Sequence, residues 1–526
     1  MILITNTTVY DGTGSDGYIA DILIDGDRIA DIRPGIAAPG ARVIDGTGLA
    51  AAPGFIDIHA HSEFSMLAEP SAPSKVMQGV TTEVSGNCGL SAAPLIGPAA
   101  VAREKDLAEY GIRERWSTFD EFFALLEEAR PALNFATLCG HGNIRASVMG
   151  YEDRRTTEDE FFRMETLLDA AMQAGAFGMS TGLIYPPGVY SDTDELVRLA
   201  KVVARHNGIY ASHMRSEGAN VIESIGEAIR IGREAGLGVQ ISHLKTAGPP
   251  NWDKLASIMQ TIEQARYEGV DVTADRYPYT ASSTDLDAIL PAWSYVGGAA
   301  EELKRLKDPE IRARLRAEVL ENHPDPEYWG RVMIASVVTD KNRHLEGRRL
   351  DWAAESRGQE PVDALFDILI EEEVRPQAIY FTMNEGNLRE FYRRDWMMVG
   401  SDSTARAMSG PTRQGKPHPR GFGSFPLVLG KFVREEAVLT LPQAVRKLSS
   451  MAADRLGLAG RGYIKVGYYA DIILFNPDYV CDKATYEEPY CFPVGIEHVL
   501  VNGELAVEHG VQTDARAGRV LRKGRG

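Results

Sequence analysis

The sequence predicts an α/β protein: a (β/α)8 TIM barrel, a small β-sandwich built from both chain ends, and an insertion over the barrel mouth. Three observations predict it. Eight short apolar runs alternate with amphipathic helical stretches through the middle of the 526-residue chain, the pattern of βα units around a parallel sheet. Both ends instead alternate short β runs with Asp-Gly or Asn-Gly turns. One connection near residue 300 is too long for a single βα unit.

In order along the chain, residues 1–53 carry Ile2-Leu3-Ile4, then Asp21-Ile22-Leu23-Ile24, the turn Asp25-Gly26-Asp27, and Arg28 to Ile32. Residues 456–526 repeat the style with Ala470 to Phe475 and Val499 to Val507 around Asn502-Gly503. Neither set can bury a sheet alone, so the two ends are expected to pair. The barrel is expected over 54–285 and 346–455, with strands at 55–59, 81–85, 135–139, 176–181, 208–212, 238–242, 270–275 and 396–401. Glu160 to Ala174 and Asn220 to Ala235 are the clearest helices between them. Residues 286–345, with a charged stretch from Leu303 to Pro324 and a β run from Val332 to Val338, read as the inserted lid.

A net charge of −18 excludes a nucleic-acid binder, which needs clustered Lys and Arg. Met1-Ile2-Leu3-Ile4-Thr5-Asn6 lacks the basic start and apolar core of a signal peptide. No apolar run approaches the roughly 18 residues that span a bilayer. Cys88, Cys139, Cys481 and Cys491 form no C-x-x-C pair and are too scattered to staple a chain this long. The reading is a cytoplasmic protein acting on a small molecule, with no nucleic-acid or membrane partner; the sequence sets no oligomeric state.

Barrel chemistry sits at the C-terminal ends of the strands. Strand 1 ends in His59-Ala60-His61, an i, i+2 pair that shares one strand face. Strand 2 ends in Asn87-Cys88-Gly89, strand 5 in Ser212-His213-Met214-Arg215, strand 6 in Ser242-His243-Leu244-Lys245, and strand 8 in Ser401-Asp402-Ser403. Any one of these is ordinary: H-x-H is commonly a satisfied pair, and a lone cysteine is commonly core. Five ligand-bearing ends out of eight are not ordinary. Thiolate with imidazole suits Zn²⁺, and Asp402 at the last strand end suits proton transfer better than a helix cap. His141 also follows a strand and reads as either structural or an outer partner of the centre, and His418 has no assigned role.

Together these residues resemble the amidohydrolase superfamily, and within it the D-aminoacylase (N-acyl-D-amino-acid deacylase) family. The superfamily is carried by Gly54-Phe55-Ile56-Asp57-Ile58-His59-Ala60-His61 with later single histidines and a final-strand aspartate. The family is carried by Gly79 to Gly89, by Asp275-Arg276-Tyr277-Pro278-Tyr279 and following, and by His418-Pro419-Arg420-Gly421-Phe422-Gly423-Ser424-Phe425-Pro426. The strand-4 run Phe177 to Leu183 contains no lysine to bridge two metals, which agrees with a family that uses Cys88 instead.

The resemblance implies one tightly held Zn²⁺ on Cys88, His213 and His243, a second, weaker position near His59, His61 and Asp402, and Asp402 as the proton-transfer carboxylate. It implies hydrolysis of N-acyl-D-amino acids to a carboxylate and a free D-amino acid. Lys245 and Tyr277, with Ser283 and Arg215 behind them, are the candidates to bind the substrate carboxylate. Leu286, Ile289, Leu290 and Trp293, without an arginine, point to apolar D-side chains. The competing readings are cyclic-amide hydrolysis of the hydantoinase or dihydroorotase kind, dipeptide hydrolysis, and a scaffold without activity.

Overall fold

The computed structural model describes residues 1–525. Eight parallel strands build the barrel: Phe55–Asp57, Val80–Ser85, Asn134–Thr137 resumed at Cys139–Gly140, Gly178–Gly182, Ile209–His213, Gly238–Ile241, Val272–Arg276 and Met397–Val399, here strands 1 to 8. Each lies within about two residues of its expected place. Strands 1 to 3 form one hydrogen-bonded arc and strands 3 to 8 the other, the two joined where strand 3 resumes at Cys139. The ring closes with a parallel bridge between Ala60 and Ser403.

Why these runs are strands follows from their burial. Strands such as Val80–Ser85 and Ile209–His213 are buried at every residue, as a parallel sheet covered by helices requires. Ile56, Val84, Ala136, Ile209, Ala211 and Met398 come from strands that are not all neighbours, yet they share one cluster, closed by Met451 and Leu456 of helix Ser450–Leu456. These side chains fill the barrel. Outside, Glu158–Ala174 starts at a Thr157 capping box with Glu160 and stops at left-handed Gly175. Val221–Ala235 buries Ile225, Ile229 and Gly232 on one face, as the 3.6-residue period demands.

The chain ends share a nine-stranded sheet. Ala50–Pro53 runs antiparallel to Ile472–Phe475, so the first and last segments are joined by backbone hydrogen bonds. Ile4, Ile22, Ile24, Ile472, Leu474 and Leu500 form its separate core.

The insertion is longer than 286–345. Its three-stranded antiparallel sheet takes Ser282–Asp285, Val332–Ser336 and Gln377–Tyr380, with the last in the centre. Helices Leu350–Arg357 and Pro361–Glu371, expected in the barrel, bury Leu350, Val362, Leu365 and Phe366 in the insertion's own core. Their amphipathic pattern is that of a barrel helix, and periodicity alone does not say which core a helix faces. The unit lies over the mouth, because it touches loops that follow three different strands. Arg375 pairs with Glu109 at 2.6 Å, Thr284 Oγ1 meets the Tyr185 hydroxyl at 2.8 Å, and Ala335 O accepts from Lys416 N at 2.7 Å.

The four residues expected to line an apolar side-chain pocket are placed elsewhere. Leu286, Ile289 and Leu290 are buried in the insertion's core and Trp293 packs against it, its indole donating to Glu318. They stabilise the inserted unit, and the case they made for apolar substrates falls with that placement.

Candidate metal centre

Five strand ends converge. Ligand atoms of His59, Cys88, His243 and Asp402 all lie within 4.8 Å of one another, and all four side chains are buried. Cys88 Sγ is 3.3 Å from His59 Nε2 and 3.4 Å from His243 Nε2. His243 Nε2 is 3.0 Å from His213 Nδ1. His61 Nε2 stands 3.1 Å from Asp402 Oδ1, at the more open side of the cluster.

Three of these residues hold unusual backbone. Cys88 (φ 52°), His243 (φ 37°) and Asp402 (φ 51°) are non-glycine residues in the left-handed region. Such conformations cost of order 1–3 kcal/mol each and persist where the surroundings impose them. Close backbone packing imposes that at Cys88: a Cβ on Gly182, at the end of strand 4, would lie 2.1 Å from Cys88 O. Glycine at 182 lets strand 4 press against the Cys88 turn.

The outer partners set which nitrogen faces inward. His59 Nδ1–H donates to Asp275 Oδ1 at 2.9 Å, and Asp275 also accepts from His243 N and from Gln240 Nε2, each at 2.8 Å. His243 Nδ1 lies 2.7 Å from Glu217 Oε1. Both imidazoles are thus anchored through Nδ1 and turn Nε2 toward the Cys88 sulfur. Burial raises the Cys88 thiol most, but the imidazoles of His59 and His243 bring it well below its ordinary value. Burial likewise opposes ionisation of Asp402, and the Arg420 guanidinium, 2.7 Å away, with His243 and His59 holds it well below the carboxylate range.

Thiolate sulfur, imidazole nitrogens and carboxylate thus face one another, held together by protons on the imidazoles, and a metal cation in their midst would take the place of those protons. A tetrahedral site with ordinary Zn–N and Zn–S bonds has ligand-to-ligand edges of about 3.3–3.6 Å. The Cys88 edges match, so the donor set fits zinc.

Among known proteins, the profile described as "Amidohydrolase family" matches residues 42–282. A D-aminoacylase from Alcaligenes xylosoxydans xylosoxydans is 36% identical, over 99% of this chain and 97% of that protein. The chain belongs to the D-aminoacylase family of amidohydrolases. An N-acyl-D-glutamate deacylase from the same organism is also 36% identical, over 99% and 96% of the two chains. The crystal structure of N-acyl-D-glutamate deacylase from Bordetella bronchiseptica, complexed with zinc and a phosphonate mimic of the tetrahedral intermediate, superposes with a TM-score of 0.84. That protein is 34% identical, and the match covers 99% of each chain.

Of the substrate-binding candidates named from their places along the chain, the structure brings Lys245 and Tyr277 to the centre and Ser283 against Arg420. Lys245 is buried, its ammonium on Glu217 and 2.9 Å from His243 Nδ1. Tyr277 is buried with no partner for its hydroxyl, and its ring lies 4.5 Å from the Arg420 guanidinium. Ser283 offers its carbonyl to Arg420 Nη2 at 3.2 Å. Arg215 is a correction: its guanidinium is taken up by Glu227 and by the carbonyls of Val189 and Ser191, so it ties helix Val221–Ala235 to the strand-4 loop.

Sequence reasoning gave no role to Asp275, Glu217, Arg420 or His418. Asp275 had a signal, since it closes the strand-7 run as His213 closes strand 5. Arg420 had none beyond its motif; it opens helix Arg420–Leu427 and reaches Asp402. His418 is buried between Ala281 O, to which Nε2–H donates at 2.9 Å, and Arg420 N, whose N–H its Nδ1 accepts at 3.0 Å. His141 is structural, its Nε2 on buried Glu195 at 2.8 Å.

Proposed function

We propose that this protein hydrolyses the amide bond of N-acyl-D-amino acids, releasing a carboxylate and a free D-amino acid. The observation that carries the reading is the inward-facing set of Cys88, His59, His243 and Asp402, with His213 against His243. Cys88, His213 and His243 would hold a tightly bound Zn²⁺, and His59, His61 and Asp402, sharing Cys88, would offer the second, weaker position. When bound, zinc polarises the amide carbonyl and favours ionisation of a water.

The remaining work belongs to the chain. Asp402, kept ionised by Arg420, takes the proton of the attacking water at Oδ1 and returns it to the leaving nitrogen. Where His61 holds no second metal, its imidazole, beside Asp402 at 3.1 Å, would instead donate to the developing negative charge. Arg420 and the Tyr277 hydroxyl bind the substrate α-carboxylate, with Lys245 lending positive charge through its place beside His243. Asp275 and Glu217 keep His59 and His243 in the required tautomers.

Four free cysteines, one of them in the metal centre, suit the reducing cytoplasm as the place of action. Among the described residues no helix is long and apolar enough to cross a membrane.

The test is free-amine release from a panel of N-acetyl-D-amino acids set beside hydantoin, dihydroorotate and a dipeptide. Turnover of the linear D-substrates is expected. Turnover confined to the cyclic amides or the dipeptide would replace this reading with the alternative one.

A further inference from the structure

The seam that closes the barrel is thinly laced. Strand 8 and strand 1 meet through the single Ala60–Ser403 bridge, with Asp402 N donating to His59 O at 2.7 Å and His61 N to Ser403 O at 3.2 Å. Three centre residues, His59, His61 and Asp402, stand on this seam, and Asp402 is held at φ 51°. Two backbone hydrogen bonds are little to fix a carboxylate that must meet a water and then a nitrogen.

A buried ion pair lies directly beneath. Lys75, in the short helix Pro73–Val76, is wholly buried. Its ammonium donates to Asp57 Oδ2 at 2.7 Å, to Ser401 Oγ at 2.9 Å and to Ser403 O at 2.9 Å. Asp57 in turn accepts from Ser401 N at 2.8 Å, from Ser401 Oγ at 2.5 Å and from His59 N at 3.3 Å. One ammonium and one carboxylate therefore grip the residues on both sides of Asp402 together with the backbone of His59. Glu83 stands 3.7 Å from the same ammonium and takes the Ser62 hydroxyl at 3.0 Å, whose oxygen accepts from Ala405 N at 2.8 Å. The loop after Asp402 is thus tied at a further point.

Burying such a pair is poor economy for stability alone, since apolar residues of equal volume commonly do as well or better. Its geometry is spent on the seam. We infer that Lys75 is a positioning residue, acting with Asp57 and Ser401 to hold the Asp402 carboxylate against His59 and His61. The inference rests on the reading of Asp402 as the proton-transfer group.

The experiment compares zinc-loaded Lys75→Met and Ser401→Ala with the unaltered protein, by steady-state kinetics on an N-acetyl-D-amino acid, zinc content and a crystal structure of each variant. Lys75→Met is expected to lower kcat by about 10²-fold, the cost of a misplacement near 1 Å, with KM nearly unchanged and zinc retained. Ser401→Ala, which keeps the ion pair, is expected to lose less, about tenfold, in the same direction. A purely structural Lys75 would reduce the yield of folded protein and leave kcat per bound zinc untouched. Wild-type kcat per zinc in both variants would overturn the inference; if Lys75→Met does not fold, Ser401→Ala decides alone. If the unaltered protein cleaves no N-acyl-D-amino acid, the functional reading fails separately. The crystal structures then judge Lys75: Asp402 displaced from His61 supports it, and Asp402 unmoved overturns it.

Discussion

Asp275 shows what the residue scale contributes. It touches no candidate metal position, yet it orients His59 through Nδ1 and His243 through its backbone N–H. Asp275→Asn is expected to weaken zinc binding by roughly 10–100-fold, as loss of such outer partners does, read by competition with a chromophoric chelator. Gly182→Ala tests the packing beneath Cys88. Its new Cβ would meet the Cys88 carbonyl oxygen, so the variant is expected to bind zinc at least about tenfold more weakly by the same titration. The inner residues were legible because strand ends are predictable from apolar runs, and His, Cys and Asp are conspicuous there. Glu217 and Arg420 were not, because Glu217 lies on a loop and Arg420 starts a helix entered from one, and no periodicity describes those paths.

At the scale of elements, all eight barrel strands were legible, since buried parallel strands announce themselves as short apolar runs between amphipathic helices. The insertion's edges were not. Gln377–Tyr380 reads as one more such run, and only its antiparallel pairing with Ser282–Asp285 and Val332–Ser336 assigns it to another sheet. The insertion also carries an internal pH dependence. Glu302, on helix Ala299–Lys307, is 3% exposed, and burial, followed by the charge of Asp285, pushes its carboxyl up to about 8. An acid whose folded pKa exceeds its unfolded value near 4.5 loses its share of stability as pH climbs from about 4.5 through about 8. Glu302→Gln, which mimics the protonated form, is therefore expected to match the parent near pH 4.5. Its melting temperature should exceed the parent's by at least ~2 °C near pH 8.5. Equal melting temperatures at both pH values would contradict that assignment.

For the whole molecule, closure is the organising fact. The barrel gathers the candidate ligands from strands 1, 2, 5, 6 and 8, so the centre exists only when the ring is complete, and the two chain ends meet in one sheet beside it. That dependence makes a complete site informative. A fold that had lost its chemistry would have no need to keep Cys88, His59, His243 and Asp402 within one buried cluster, with both histidines and the aspartate braced from outside. The measurement that tests this most directly is amine release from paired D- and L-enantiomers of an N-acetyl amino acid, on the parent and on Asp402→Asn, with zinc quantified in both. Release from the D form alone is expected, with a fall of about 10²–10⁴-fold in the variant and zinc retained. Release from the D form at an undiminished rate in zinc-loaded Asp402→Asn would contradict it, as would equal release from both enantiomers.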